Sequence, residues 1–241
     1  MTRYALVTRH QDECADLQRL LEQHGCGLRP YPVMRISDVS DVEGWRTAHS
    51  LLEDWGERLW LTIASPRVPA RLAQLARERG LDRLLALPIA VVGDATAAAA
   101  ARAGLRIDLI GPGTGIGLAR DLMSVLEPQN PLLLAGGRER RPEFAEALES
   151  AGHRVYPLVV YQMDPTPASE LPPPGSDLAA VILTSPRAAT LYVGALGGRP
   201  LPVPHWALGA TTQQAATHLG IECRTSSRPT FESLVEELCR S

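Results

Sequence analysis

Short apolar runs alternate with amphipathic stretches along the whole chain, and their two periods are those of strands and helices. RYALVT (3–8) is a compact apolar run. ECADLQRLLEQH, which follows it, sets Leu17, Leu20 and Leu21 on one helical face, with Gly25 placed to end the helix. CGLRPYPVMRI is extended and interrupted by prolines, and DVEGWRTAHSLLEDW returns to the helical period before the strand RLWLTIA (58–64). PRVPARLAQLARERG carries Pro66 and Pro69 where a first helical turn tolerates them and Gly80 at its end. PIAVVG, the alanine-rich DATAAAAARAG, LRIDLIG and GLARDLMSVL continue the alternation. PLLLAGG, RPEFAEALESAG, HRVYPLVVYQM, LAAVILT, PRAATLYVGALG, HWALG, TTQQAATHLG, IECRTS and TFESLVEELCR repeat it in the second half. Between HRVYPLVVYQM and LAAVILT, the proline-rich DPTPASELPPPGSD reads as a linker. Strands alternating with helices predict an α/β fold: parallel sheet, right-handed crossovers, and helices on both faces.

The wording repeats as well as the order. Ser65-Pro66-Arg67 is echoed by Ser185-Pro186-Arg187, and Gly93-Asp94-Ala95-Thr96 by Gly209-Ala210-Thr211-Thr212. Gly104 and Thr114 match Gly220 and Thr230 at nearly the same offset, and YALVTRH parallels LLLAGGR. The chain thus reads as two copies of one small α/β unit. Two doubly wound units are expected to turn strand C-termini and helix N-termini toward a shared crevice, where such sheets bind ligands.

Composition narrows the function. A chain of 241 residues, 45% hydrophobic and 21% charged, is long enough for one large domain or two ordinary ones with a proper core. No apolar run is long enough to span a bilayer, and MTRYALVTRHQDE turns polar too early for a secretory signal, so a cytoplasmic protein is expected. A net charge of −3 gives no general attraction to nucleic acid. Cys14, Cys26, Cys223 and Cys239 have no metal-knuckle or redox-pair spacing and read as reduced thiols. All 24 basic residues are arginine, which excludes lysine Schiff-base chemistry and the phosphate-loop lysine.

No nucleophile elbow, HExxH or histidine–cysteine cluster is present, and the six histidines are scattered. GPGTGIG (111–117) reads as a tight turn before a helix rather than a dinucleotide fingerprint, with backbone anion binding as its second reading. The Ser-Pro-Arg junctions support two readings equally. Serine and proline start helices, or the serine hydroxyl, free N–H groups and arginine hold a carboxylate. The Gly93–Thr96, Gly209–Thr212 and Gly136-Gly137-Arg138 junctions share that ambiguity. Together they describe a site rich in donors and poor in general bases, suited to a polyanion.

VVGDATAAAAARAGL, LLLAGGRERRPEFAEALESAGHRVYPLVVYQMDP, VILTSPRAATLYVGALG and ALGATTQQAATHLGI with RPTFESLVEEL, in this order, resemble uroporphyrinogen-III synthase over most of the chain. LTIASPRVPARL and GPGTGIGLARDL depart from that family's usual wording. The resemblance implies two flavodoxin-like doubly wound parallel-sheet domains joined by a two-stranded extended linker. One comprises residues 1–36 and 166–241, the other 37–165, with RPYPVMRIS and YPLVVYQMD as the connecting strands. Sequence equally permits a tandem division near residue 129.

The implied reaction cyclises hydroxymethylbilane to uroporphyrinogen III with inversion of ring D through a spiro intermediate. Tyr161, in VYQ, matches the family's cleft tyrosine and would donate a proton to the departing hydroxyl. Arg9, Ser65, Thr96, Gly137, Arg138, Ser185, Pro186, Gly209, Thr211 and Thr212 would hold the substrate's acetate and propionate arms. No metal or organic cofactor is implied. The expected partners are the linear tetrapyrrole and, transiently, hydroxymethylbilane synthase, with the chain a monomer that engages neither nucleic acid nor membrane. Two other readings stay open: a non-catalytic two-domain binding protein for a carboxylated small molecule, and a flavodoxin-like redox protein with a flavin phosphate at GPGTGIG. The serine/threonine-rich phosphate loop expected of the latter after the first strand is missing.

Overall fold

In the computed structural model, which describes residues 3–140, 142–228 and 230–240, the apolar runs become the strands of two sheets. The first half of the chain runs β1 (Arg3–Val7), α1 (Ala15–Gln23), β2 (Cys26–Pro30), β3 (Met34–Ser37), α2 (Val42–Trp55), β4 (Trp60–Ile63), α3 (Val68–Glu78), β5 (Ile89–Val91), α4 (Asp94–Arg102), β6 (Leu109–Ile110) and α5 (Gly115–Met123). The second runs β7 (Pro131–Gly137), α6 (Glu143–Ser150), β8 (Arg154–Pro165), β9 (Leu178–Leu183), α7 (Pro186–Ala195), β10 (His205–Ala207), α8 (Ala210–His218), β11 (Cys223–Thr225) and α9 (Phe231–Arg240).

One sheet has the order β2-β1-β9-β10-β11 and the other β3-β8-β7-β4-β5-β6. The first is parallel throughout, and so are the strands from β8 to β6 of the second. With β3 through β8 set aside, the first sheet has the flavodoxin-like order 2-1-3-4-5. The second has that same order only when counting starts at β7, and is therefore a circular permutation of the first. The two copies in the chain have exchanged their opening βαβ units. β1-α1-β2 sits with the second copy's β9, β10 and β11, and β7-α6-β8 sits with the first copy's β4, β5 and β6. Two ladders join the copies: β1 with β9 (Leu6 opposite Val181, Val7 opposite Ile182), and β4 with β7 (Leu61 opposite Leu133, Ile63 opposite Ala135).

The chain divides into two compact units, residues 1–35 with 164–241, and residues 36–163. Neither is a continuous half of the sequence. The chain crosses between them within β3 and within β8, which are neighbouring strands. The proline-rich stretch after β8 is not a linker between units, since the chain has already crossed by Asp164. It is an ordered loop of the first unit. The N–H of Thr166 donates to the carbonyl of Val33 and its hydroxyl to that of Pro32, Arg35 pairs with Glu170, and Arg29 donates to the carbonyl of Pro174.

Each sheet buries both faces, as near-continuous apolar strands require. In the first unit Leu6, Val181 and Leu183 pack under α7 and α8, while Ala5, Val7, Ala180 and Ile182 pack under α1 and α9. In the second, Leu61, Ile63, Leu133 and Ala135 face α2, α3 and α4, while Leu132 and Leu134 face α5 and α6. LRIDLIG yields only the two-residue β6, because Asp108 turns its carboxylate back to the N–H of Ile89 and pairs with Arg106.

One polar pair lies in the first unit's core. The Tyr192 hydroxyl lies at hydrogen-bond distance, 3.0 Å, from Nε2 of His205 and accepts the N–H of Leu201. Burial pushes the Tyr192 phenol up to about 12 and holds His205 below its usual 6.5. A histidine depressed in the folded state takes up its proton first when unfolded. Its contribution is complete above about pH 6.5 and is lost as the pH falls below that value. Melting temperatures measured from pH 7.5 down to 5.5 should fall for the parent and fall less for His205→Gln; parallel curves would remove His205 as the cause.

Candidate functional site

In the second unit, β4 and β7 leave the sheet side by side, and their following helices go to opposite faces, α3 to one and α6 to the other. At such a switch point the crossovers part and leave a gap beyond the strand ends. A cavity of about 540 Å³ lies there, bounded by Ser65 after β4, Leu134 to Gly137 at the end of β7, Thr114 to Ile116 at the start of α5, and Arg140, Phe144 and Tyr161.

Tyr161 reaches this place through an irregularity in its strand. Gly136 lies opposite Val159, but Gly137 lies opposite Tyr161, so β8 holds one extra residue, Val160. Such a bulge re-aims the side chain beside it. The Tyr161 ring then covers Gly137. A Cβ at that position would sit 2.9 Å from the ring and 3.1 Å from the phenol oxygen. The strand is further held because the carboxylate of Asp41 accepts the N–H of Val159 at 2.8 Å as well as that of Gly44, which caps α2.

Ser65, Gly137 and Tyr161 line one cavity. Thr96 is buried in the first turn of α4, where its N–H donates to the carbonyl of Gly93. Arg138 is exposed: its backbone N–H donates to the carbonyl of Tyr161 and its guanidinium to Gln162. Sequence reasoning passed over Arg140, two residues on, which is half-buried and lines the cavity, and over Thr114, whose hydroxyl accepts the N–H of Gly117 and caps α5. The chain leaves the strand at Gly137, so no period indicated which of the clustered arginines would turn inward. The glycine-rich turn before α5 is as tight as expected, with Gly113 at φ +90°.

In the first unit the matching switch point is at the ends of β1 and β9. Thr8 and Thr184 join the two strands there. The N–H of Thr184 donates to the Thr8 hydroxyl, and the two hydroxyls lie 3.2 Å apart. Beside them, Ser185 caps α7 by accepting the N–H of Ala188, Pro186 is the first helical residue, and the Arg9 guanidinium stacks over Phe231. Gly209 precedes α8, Thr211 is exposed, and Thr212 is buried with its N–H on the Gly209 carbonyl, the same arrangement as Thr96 and Gly93. The echoed Ser-Pro-Arg phrases differ in structure. Ser185 is a true cap, whereas Pro69 delays the other helix to Val68 and leaves Ser65 in a turn whose carbonyl accepts the N–H of Val68. The Ser65 side chain is consequently less engaged, with only a 3.4 Å contact from the N–H of Arg67.

A family model described as uroporphyrinogen-III synthase HemD matches residues 15–236. The chain belongs to the uroporphyrinogen-III synthase family. It is thereby a cyclising lyase of tetrapyrrole synthesis. Its fold is similar to that of two solved members at low identity. A mutant uroporphyrinogen III synthase from Thermus thermophilus is 20% identical, with 99% of this chain and 98% of that one covered and a TM-score of 0.56. The uroporphyrinogen-III synthetase of Helicobacter pylori is 13% identical, with 98% of each chain covered and a TM-score of 0.65. No curated protein matched the chain. Among the described residues no helix is long and apolar enough to cross a membrane.

The family assignment gives the Gly137–Tyr161 contact a test. Gly137→Ala must displace the ring, at a cost of about 1–3 kcal/mol. A lowered melting temperature with reduced turnover is expected, and full activity with unchanged stability would show that the close approach of Tyr161 is not needed.

Proposed function

We propose that this chain closes hydroxymethylbilane to uroporphyrinogen III with Tyr161 as proton donor and with helix-start donors holding the carboxylate arms. The observation that carries the reading is the bulge in β8, which holds a largely buried phenol over Gly137 in a cavity at the β4–β7 switch point. In the reaction the terminal hydroxyl leaves as water once protonated, giving an azafulvene cation. The far pyrrole attacks through its substituted carbon, and the resulting spiro intermediate breaks and recloses with ring D reversed. The substrate supplies the electronic push. The protein's task is to place groups and supply one proton, for which a phenol is an available general acid.

Ser65, Thr96, Gly137 and Arg138 in the second unit, and Arg9, Ser185, Pro186, Gly209, Thr211 and Thr212 in the first, are assigned to the acetate and propionate arms. Thr96 and Thr212 support this assignment best. They are the matching threonines of the two copies, each in the first turn of a helix that follows a strand end, where N–H groups favour an anion. The functional domains are taken as residues 1–36 with 166–241, and 37–165. A cytoplasmic monomer that receives its unstable substrate through transient contact with hydroxymethylbilane synthase completes the reading.

Fresh hydroxymethylbilane closes spontaneously to the type I isomer, so the product isomer tests the function. Purified protein without added cofactor should give type III; type I at the spontaneous rate would contradict the reading. Tyr161→Phe should lower kcat by roughly 100-fold with little change in KM, and parent-like kinetics would remove its role. Thr212→Val should weaken product binding about fivefold, the equivalent of a net hydrogen bond of about 1 kcal/mol. Unchanged affinity would mean that Thr212 only starts its helix.

A further inference from the structure

We infer that Arg140 is the cation that receives one carboxylate arm of the tetrapyrrole in the cavity at the β4–β7 switch point, a role resting on the function proposed above. The cavity is walled largely by Val92, Leu134, Ala135 and Phe144, with the Tyr161 ring at one side. Glu139 and Glu143 also border it, and both are exposed. Arg140 is half-buried among these groups. A guanidinium has five N–H donors, and the hydrogen bond found for this one runs from Nη1 to the Leu134 carbonyl at 3.2 Å. Among the described residues no carboxylate lies at ion-pair distance from it, unlike Arg29 with Asp177, Arg35 with Glu170 and Arg83 with Glu53. Asp41 acts on it through space, while its carboxylate oxygens accept the N–H groups of Val159 and Gly44.

A cation taken partly out of water without a counter-ion is an unfavourable arrangement for the empty protein. Burial accordingly lowers the Arg140 pKa, against the opposing influence of Asp41 and Tyr161. An incoming carboxylate removes that cost and gains charge-assisted, bidentate hydrogen bonds in a setting less screened than the surface. The neighbouring apolar wall suits a pyrrole ring. Arg140 and the Tyr161 ring border the same cavity, so a carboxylate held by the one lies beside the other.

A structural arginine and a ligand-binding one predict opposite signs. Arg140→Gln and Arg140→Met remove the uncompensated charge. Each should therefore melt at or above the parent temperature, while the dissociation constant for uroporphyrin III, the oxidised product, rises by about tenfold or more in fluorescence titration. The exposed Arg120→Gln on α5 serves as control and should match the parent in both readouts. An affinity within about twofold of the parent in a folded variant would overturn the inference. So would a clear loss of stability in both variants, which would make Arg140 part of the scaffold. The parent's isomer assay separates the two levels. Type III product from a parent whose Arg140 variants bind normally sinks only the role of Arg140, whereas failure of the parent to make type III sinks the function first.

Discussion

The two parallel ladders that join the copies, β1 to β9 and β7 to β4, are the constraint on which the rest depends. Parallel neighbours cannot be linked by a hairpin, so each strand at these seams feeds a helix that crosses over the sheet. α1 and α7 leave to opposite faces of one sheet, and α6 and α3 to opposite faces of the other. The divergence leaves space beyond the strand ends and lines it with helix starts. Because each seam pairs a strand of the first copy with one of the second, neither copy completes a sheet without the other's opening βαβ unit. The two Ser-Pro-Arg phrases of the sequence thus each follow a seam strand, β4 and β9.

This geometry fits a reaction in which the substrate provides the electrons. What the seams offer is orientation: capped helix starts, the threonine pair Thr8 and Thr184 fixing β1 to β9, and in the second unit a tyrosine aimed by one extra residue in β8. A bulge aims one side chain of its strand. It rotates that side chain relative to the strand while Leu158, Val159 and Val160 all stay buried. Arg140 adds a charge where apolar walls strengthen it. An all-arginine chain suits that task, since guanidinium stays protonated when partly buried and matches the fork of a carboxylate.

Much of the fold was legible because its signals are local. Leu17, Leu20 and Leu21 set α1, Gly25 and Gly80 end helices at φ +72° and +67°, and most apolar runs became strands within a residue or two, LRIDLIG being the exception. The exchange of βαβ units was not readable from these signals, since either pairing of the copies buries the same residues. It entered only through the resemblance. The proline-rich loop misled because composition reports an absence of regular structure, not the tertiary bonds from Thr166 and Glu170 that order it. Ser65 and Ser185 share a phrase but not a conformation, because Pro69 shifts one helix start. Tyr161 was proposed from family wording, while the bulge that aims its side chain and the inward turn of Arg140 are matters of register that no sequence period displays.

Hydrogen exchange with and without bound uroporphyrin III tests most directly whether ligand carboxylates settle at the seam ends. Added protection is expected in residues 64–67 and 136–140 of the second unit and 184–188 of the first, with the amides at the opposite end of the first sheet, around residues 200–205 and 220–224, unchanged. Protection confined to that opposite end, with the seam amides exchanging as fast as in the free protein, would contradict the account.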